Sequence, residues 1–418
     1  MKPISFFASL LLLTSPVFWG CTKSNPSNQP SPNAVDSFQL DANGILYLKV
    51  DDTLRRLDVK TGSSDWGTAL TYHSGSGQSP LNFDSGYIYQ GSIYGLATYN
   101  YRTGAMIWMT AIPPEPGSTL GMYRATAIND SLVFYTGPTG VFFGGGKLYC
   151  AYKRSGDVLW ETLIDSNSLG FKDFNSIPYL ANGKVILLIR DMDGHKRIGC
   201  FHAGTGASVW NTTINDDLSS RLLVTDDHIY AAQGQYAYCY SAKDGSLQWR
   251  TDMGFSGGEF KNYPFLDHDR LIVARNGPVT SNAIRIFNAI NGDQNSSQTF
   301  EVPAATDLWR YTYDKGVLYI TSQTTDSVEL TAYNIDTKSV KWRYRYSQLG
   351  AWSAIVTDKY FIFPSGIGRT PLYENAASQM TFLDLNGSLV KQVPYRGVYT
   401  NSMLYVDSTG TVYKEQDR

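Results

Sequence analysis

One short pattern recurs along this chain and limits its possible folds more than any other feature. A small polar or acidic residue precedes a glycine, and a tryptophan stands four residues after that glycine. Thr61-Gly62 leads to Trp66, Thr103-Gly104 to Trp108, Ser155-Gly156 to Trp160, Thr205-Gly206 to Trp210 and Asp244-Gly245 to Trp249. Asn291-Gly292 and Asn386-Gly387 keep the turn but carry Ser296 and Lys391 where the indole belongs. Thr337-Lys338 keeps Trp342 without the glycine. The spacing implies two strands around a tight turn, where glycine adopts positive φ at little cost. The strand leaving the turn then plants an indole at a constant depth. Ten residues before these tryptophans stand Arg56, Thr98, Cys150, Cys200, Cys239 and Ala332, mostly small. A small residue there is expected to leave room for an indole arriving from a neighbouring unit. Each indole, once buried, removes roughly 150–250 Å² from water.

A second pattern interleaves with the first. Apolar strand signals begin at Ile45, Tyr87, Leu132, Val185, His228, Leu271, Val317, Tyr360 and Met403, mostly after Asn, Asp, Gly or Ser. No long stretch between them holds an apolar period of 3.6 residues, so helices are not expected. Composition agrees. Aromatic residues reach 14%, including 29 Tyr, while charged residues are only 17%, a mixture that favours strands over helices. At 42% hydrophobic the chain can build a sizeable core, which excludes wholesale disorder. A net charge of −2 provides no general attraction for nucleic acid.

The unit Ile229 to Trp249, with Tyr240-Ser-Ala-Lys-Asp-Gly-Ser-Leu-Gln-Trp249 at its end, resembles the PQQ-type β-propeller repeat. That repeat occurs in quinoprotein dehydrogenases and in outer-membrane assembly lipoproteins of the BamB type. The resemblance extends over about residues 40 to 414. It implies an all-β propeller whose four-stranded blades surround a central channel. Residues 37–418 divide into units of about 48 for eight blades, about 55 for seven and about 42 for nine. Nine strand signals are present, but the last unit is incomplete, and ring closure joins both chain ends in one blade. Eight blades are therefore favoured, with seven or nine open, and residues 37–418 form one domain.

Beyond the repeat, chemistry is sparse. The quinoprotein members of this family place a quinone and usually a Ca²⁺ ion in the channel, often beneath a disulfide between adjacent cysteines. This chain has no Cys-Cys pair and no Cys-x-x-Cys-His haem motif. Cys150, Cys200 and Cys239 occupy the same place in three successive units, too far apart for the roughly 7 Å limit of a disulfide. They read as small buried residues. His73, His195, His202, His228 and His268 show no metal-ligand spacing. Asp191-Met-Asp-Gly194 lacks the downstream Glu of a calcium loop, and Gly144-Gly-Gly146 leads into a strand instead of a helix. No catalytic residue, cofactor-binding residue or metal ligand is expected. In Trp309-Arg-Tyr-Thr-Tyr313 and Trp342-Arg-Tyr-Arg-Tyr346, aromatic and polar residues alternate, implying one buried and one solvated face; aromatic platforms for a glycan or peptide are the alternative. Pro113-Pro-Glu-Pro-Gly117 is a rigid loop that could meet a partner.

The N-terminus reads as an address. Residues 1–20 carry Lys2 and an apolar run from Ile4 to Leu13, too short to span a bilayer, as an export signal does. Gly20-Cys21 resembles a lipobox, with Cys21 as the acylation site, although Phe18 stands where Leu is usual and Trp19 is bulky. An ordinary secretory signal with an incidental cysteine is the alternative. Residues 21–36, rich in Ser, Asn and Pro, read as a flexible tether. Thr22 is not the Asp that retains some lipoproteins at the inner membrane, so the outer membrane is favoured. The resulting expectation is a non-enzymatic, lipid-anchored scaffold of the cell envelope. It would bind envelope proteins, and outer-membrane protein assembly is the role that BamB-type relatives suggest. The competing expectations are a propeller that binds carbohydrate or another small ligand, and a degenerate PQQ-dependent oxidoreductase.

Overall fold

A computed structural model describes residues 44–414 except 51–52, 62, 71–80, 93–94, 112–123, 139–145, 165–176, 191–195, 215–221, 234, 255–261, 276–281, 295–299, 303–306, 324–326, 347–353, 366–376 and 397–399. The export signal, Cys21 and the tether therefore lie outside the described residues, as do Pro113–Gly117, Asp191–Gly194, His73 and His195.

Eight antiparallel sheets form an eight-bladed β-propeller. Blades 2 to 8 span residues 82–111, 124–163, 179–214, 223–252, 262–302, 307–346 and 355–396, each four strands in sequence order. Blade 1 is shared by the two ends of the chain. Ile45–Val50, Thr53–Asp58 and Ser64–Ala69 supply its outer three strands, and Thr400–Val406 pairs with Ile45–Val50 on the inner side. That closure explains nine strand signals in eight blades. The first eight signals open the second strand of each blade, whereas Met403 lies on the strand that completes the first. No disulfide is present among the described residues, and Cys150, Cys200 and Cys239 are buried free thiols.

Burial explains the apolar runs. The second strand of a blade is pressed between the neighbouring blades on both faces; every side chain of Ile45–Val50 is buried. Such a strand reads as nearly continuous hydrophobicity. Outer strands alternate instead, as Ser208–Ile214 does. The first strand of blade 7 is crowded as well. Tyr311, Thr312 and Tyr313 are all buried, so the expected solvated face is missing there because blades 6 and 8 close on both sides. In Ser339–Tyr346 the alternation is present, with Arg343 and Arg345 exposed.

The tryptophans sit on the outer strands, and their surroundings correct one expectation. Cys150 pairs across the ladder with Trp160, Cys200 with Trp210, Cys239 with Trp249 and Ala332 with Trp342. The small residue thus lies opposite the indole of its own blade. Room for the indole in the next blade is made by the turn glycine. A Cβ added at Gly104, Gly156, Gly206, Gly245, Gly292 or Gly387 would fall within 2.4–2.6 Å of Trp66, Trp108, Trp160, Trp210, Trp249 or Trp342. Each indole therefore covers the turn of the following blade. Its Nε1 donates to a carbonyl of that turn in four cases: Trp108 to Lys153, Trp160 to Ala203, Trp249 to Ala289 and Trp342 to Leu385, all at 3.0–3.1 Å. At the other two turns the carbonyl takes another donor. Tyr47 Oη bonds to Tyr101 at 3.2 Å, and Lys184 Nζ reaches Ala242 at 3.4 Å.

A threonine two residues past the indole adds a second clasp. Thr68, Thr162, Thr212 and Thr251 donate their hydroxyls to the glycine carbonyl of the next turn at 2.7–2.8 Å. This Trp-x-Thr signature is legible in the sequence once the docking partner is known. A bulge precedes each indole, leaving Ile107, Leu159 and Val209 without a cross-strand partner.

The exception at Lys338 now has a cause. Blade 6 carries Ser296 where an indole would cover the following turn, so blade 7 has no need of glycine there. Lys338 itself adopts φ 55°, which an L-residue tolerates at modest cost.

Charge also ties blades together. Lys153, on the turn of blade 3, has a side chain only 7% exposed and pairs with Asp84 of blade 2. Its ammonium also reaches the Asn129 carbonyl at 3.3 Å. Breaking a buried pair from one side leaves an uncompensated charge. Asp84 is one-third exposed, which reduces the loss. Asp84→Ala is expected to cost about 2 kcal/mol, and Lys153→Met less than about 1 kcal/mol because the charge it leaves behind, on Asp84, is partly solvated. The shift in denaturation midpoint measures both, and equal losses would refute the argument.

Candidate functional site

The ring axis is where a propeller most readily gathers side chains from several blades. The first strands of successive blades lie against one another around it. In this chain a fifth strand, Val412–Lys414, pairs with the inner edge of Thr400–Val406 and lies one strand deeper than the rest of its blade. A five-residue turn delivers it. The Asp407 carboxylate accepts the amides of Thr409 at 2.8 Å and Thr411 at 3.0 Å, together with the Thr409 hydroxyl at 2.7 Å. Gly410 adopts φ 92°.

The inner strand touches the blades on both sides. Tyr413 stacks toward Tyr405 at 6.1 Å, and its hydroxyl lies 3.3 Å from both Asp407 and Asp358 of blade 8. Lys414 points the other way and reaches Asn82 of blade 2 at 3.4 Å. Nearby, the Leu81 amide donates to Ser402 Oγ at 2.8 Å. Asp358 is also paired with Lys315 on the turn of blade 7. Residues from blades 7, 8, 1 and 2 are thus joined through one short strand.

Electrostatics follow from these contacts. The hydrogen bond from Lys315, and its charge, hold Asp358 below the usual carboxylate range and raise Lys315 in turn. For Asp407, burial works to raise the pKa, but the bonds from Thr409 and Thr411 outweigh it and the net shift is downward. Burial raises Asp314, and surrounding atoms disfavour the charge of Lys414 although its side chain is open to solvent. The folded pKa of Asp358 and of Asp407 is depressed. Their stabilisation is therefore present above the unfolded value near 3.9 and is lost as pH falls through the folded value. Carboxyl-resolved NMR titration is expected to place Asp358 and Asp407 below, and Asp314 above, the range of unstructured aspartates. The reverse order would contradict the described contacts.

The innermost strand of blade 1 is Val412–Lys414, and beside it Asp358 and Asp407 are engaged by Lys315, Tyr413 and the turn. Among the described residues no group of three or more His, Cys, Asp or Glu side chains could hold a metal. The other sequence candidates are dispersed. Burial pushes the thiols of Cys150 and Cys239 up to about 12 and that of Cys200 up to about 11, so they are poor nucleophiles. His202 accepts the Gly204 amide at 3.1 Å, and His268 pairs with Asp267 at 2.9 Å. Tyr344 and Tyr346 turn toward Phe363 of blade 8, at 6.1 and 5.1 Å, instead of forming a platform for a ligand. Sequence reasoning missed the inner strand. Val412-Tyr-Lys414 is too short to register as a strand signal, and only its partner Thr400–Val406 reveals it.

A family model described as outer membrane protein assembly factor BamB matches residues 29–188 and 194–295, together more than half of the chain. The chain belongs to this family. No curated protein matches it. Among solved structures, BamB from Moraxella catarrhalis aligns with a TM-score of 0.54 at 16% identity, covering 81% of this chain and 96% of that one. Quinohemoprotein alcohol dehydrogenase from Comamonas testosteroni aligns with a TM-score of 0.55 at 10% identity, covering 78% and 70%. Apo AztD from Citrobacter koseri aligns with a TM-score of 0.58 at 11% identity, covering 90% and 100%. At such identities the likeness is one of fold. A BamB-type protein and an alcohol dehydrogenase on the same ring show how little the propeller alone says about chemistry.

Proposed function

We propose that this BamB-family propeller is a non-enzymatic, lipid-anchored scaffold of the cell envelope, held at the outer membrane through Cys21 and engaged in outer-membrane protein assembly. The observation that carries the reading is the family match, whose description names an assembly factor. The inner strand Val412–Lys414 supports it, because a fifth strand on the inner edge of blade 1 leaves less room there for a cofactor. Two measurements test the reading. Photo-crosslinking in the native host at native abundance is expected to trap a defined envelope protein. Adding PQQ and Ca²⁺ to the purified chain is expected to change neither its visible spectrum nor the rate of dye reduction. Dye reduction with an alcohol would overturn the non-enzymatic reading, and the absence of any crosslinked partner would overturn the scaffold.

A further inference from the structure

Charge is distributed unevenly over the outer strands of the blades. Ser339–Tyr346 of blade 7 carries Lys341, Arg343 and Arg345, and Leu389–Arg396 of the adjacent blade 8 carries Lys391 and Arg396, with no acid on either. The remaining basic residue of the outer strands, Arg250, shares its strand with Asp252. The other acids lie elsewhere too: Asp65 on blade 1, Glu161 on blade 3 and Glu301 on blade 6. Met106–Ala111 and Ser208–Ile214 are uncharged. In a chain of net charge −2 this is segregation, not an excess of cations. Residues 347–353 and 397–399, which follow the two basic strands, carry no charge.

The basic strip is open to solvent. Lys338, Lys341, Arg343 and Arg345 are exposed, and Lys391 is half-buried with its ammonium 4.8 Å above the Phe382 ring. One acid opposes them. Glu329, on the neighbouring strand of blade 7, lies 2.8 Å from Arg345 and 3.7 Å from Arg343, and it holds both guanidinium groups on one face of the sheet. It offsets one charge of the strip and leaves the rest. Aliphatic side chains are exposed among these cations: Val340 at the start of the blade 7 strand, and Leu389 and Val390 at the start of the blade 8 strand.

We propose that this strip docks on anionic lipid headgroups, so that blades 7 and 8 face the membrane. The orientation rests on the scaffold reading, in which Cys21 carries the anchor. Two features select a bilayer over an acidic protein. The first is the mixture of side chains. Cations set among exposed aliphatic residues match the membrane boundary, where long basic side chains reach the phosphates and apolar groups enter the acyl edge. The second is proximity. The chain enters the ring at Ile45 on blade 1, which packs against blade 8. Read as a tether, the roughly 20 residues between Cys21 and that strand span about 25 Å root mean square. Headgroups therefore stand beside the ring at high effective concentration, whereas an acidic protein must arrive by diffusion.

The mature chain from residue 21, carrying Cys21→Ala and hence no acyl chain, tests the strip whether or not Cys21 is acylated. In vesicle flotation it is expected to bind phosphatidylcholine containing about 30% phosphatidylglycerol about a hundredfold more tightly than phosphatidylcholine alone, and to be released by salt. Lys341→Gln, Arg343→Gln and Arg345→Gln together are expected to reduce that preference to about threefold or less, since each cation near an anionic surface is worth about fivefold. Glu329→Gln removes the opposing acid and is expected to raise the preference about fivefold. Arg250→Gln, on blade 5, is expected to leave it unchanged. Equal binding to the two kinds of vesicle overturns the proposal, as does a preference that survives the triple substitution or fails to rise with Glu329→Gln. Binding to soluble polyglutamate as tight as to the anionic vesicles also overturns it, by assigning the strip to an acidic protein. An unacylated Cys21 in the native host would sink the anchor reading and leave these measurements standing.

Discussion

Adding one methyl group at Gly156 is expected to destabilise the propeller by about 2–5 kcal/mol. Two causes combine. Gly156 adopts φ 74°, where an L-residue loses roughly 1–2 kcal/mol. The new Cβ would also fall 2.6 Å from Cδ2 and Cε3 of Trp108, and overpacking of that kind costs about 1–3 kcal/mol. The indole cannot retreat easily, because its Nε1 is bonded to the Lys153 carbonyl at 3.0 Å and its ring lies among Tyr89, Val133 and Ala151. Trp108→Ala by itself is expected to cost about 3–5 kcal/mol. In that background the collision disappears, so Gly156→Ala should cost only the roughly 1–2 kcal/mol of backbone strain. Lys338→Gly serves as the control and should be close to neutral, because that turn follows a blade without an indole. Urea denaturation of the four variants closes the cycle. If Gly156→Ala costs the same with and without Trp108, the indole is not what demands glycine.

The second large effect concerns location. Cys21→Ala is expected to move the protein from the membrane fraction to the soluble fraction almost completely. Acyl chains contribute about 0.8 kcal/mol per buried CH2, and stable anchoring requires two such signals. The Ser/Asn/Pro-rich residues 22–36 provide no apolar surface as a substitute. Among the described residues no helix is long and apolar enough to cross a membrane. Fractionation at high salt separates the two outcomes. A Cys21→Ala variant still found with membranes would show that the lipobox resemblance is incidental.

The two readings differ in what they draw on. Tight turns and indoles are local chemistry. A turn glycine and a tryptophan four residues later are visible in five repeats, as at Gly104 and Trp108 and at Gly206 and Trp210. Because the ring multiplies one local unit, eight blades of four strands could be expected from a single chain. The candidate site behaves otherwise. Tyr413, Asp358, Lys315 and Asn82 are separated by up to 331 residues and carry no shared motif.

By itself, then, the order of residues determined that this chain is a closed wheel of small sheets, because the constraint lies within a few residues of each turn. Tertiary structure alone decided three further matters: that each glycine yields to the indole of the preceding blade, that blade 1 takes strands from both chain ends, and that a three-residue strand extends blade 1 inward. Those depend on which blade stands beside which, and closing the ring brings together residues that no short window of sequence contains.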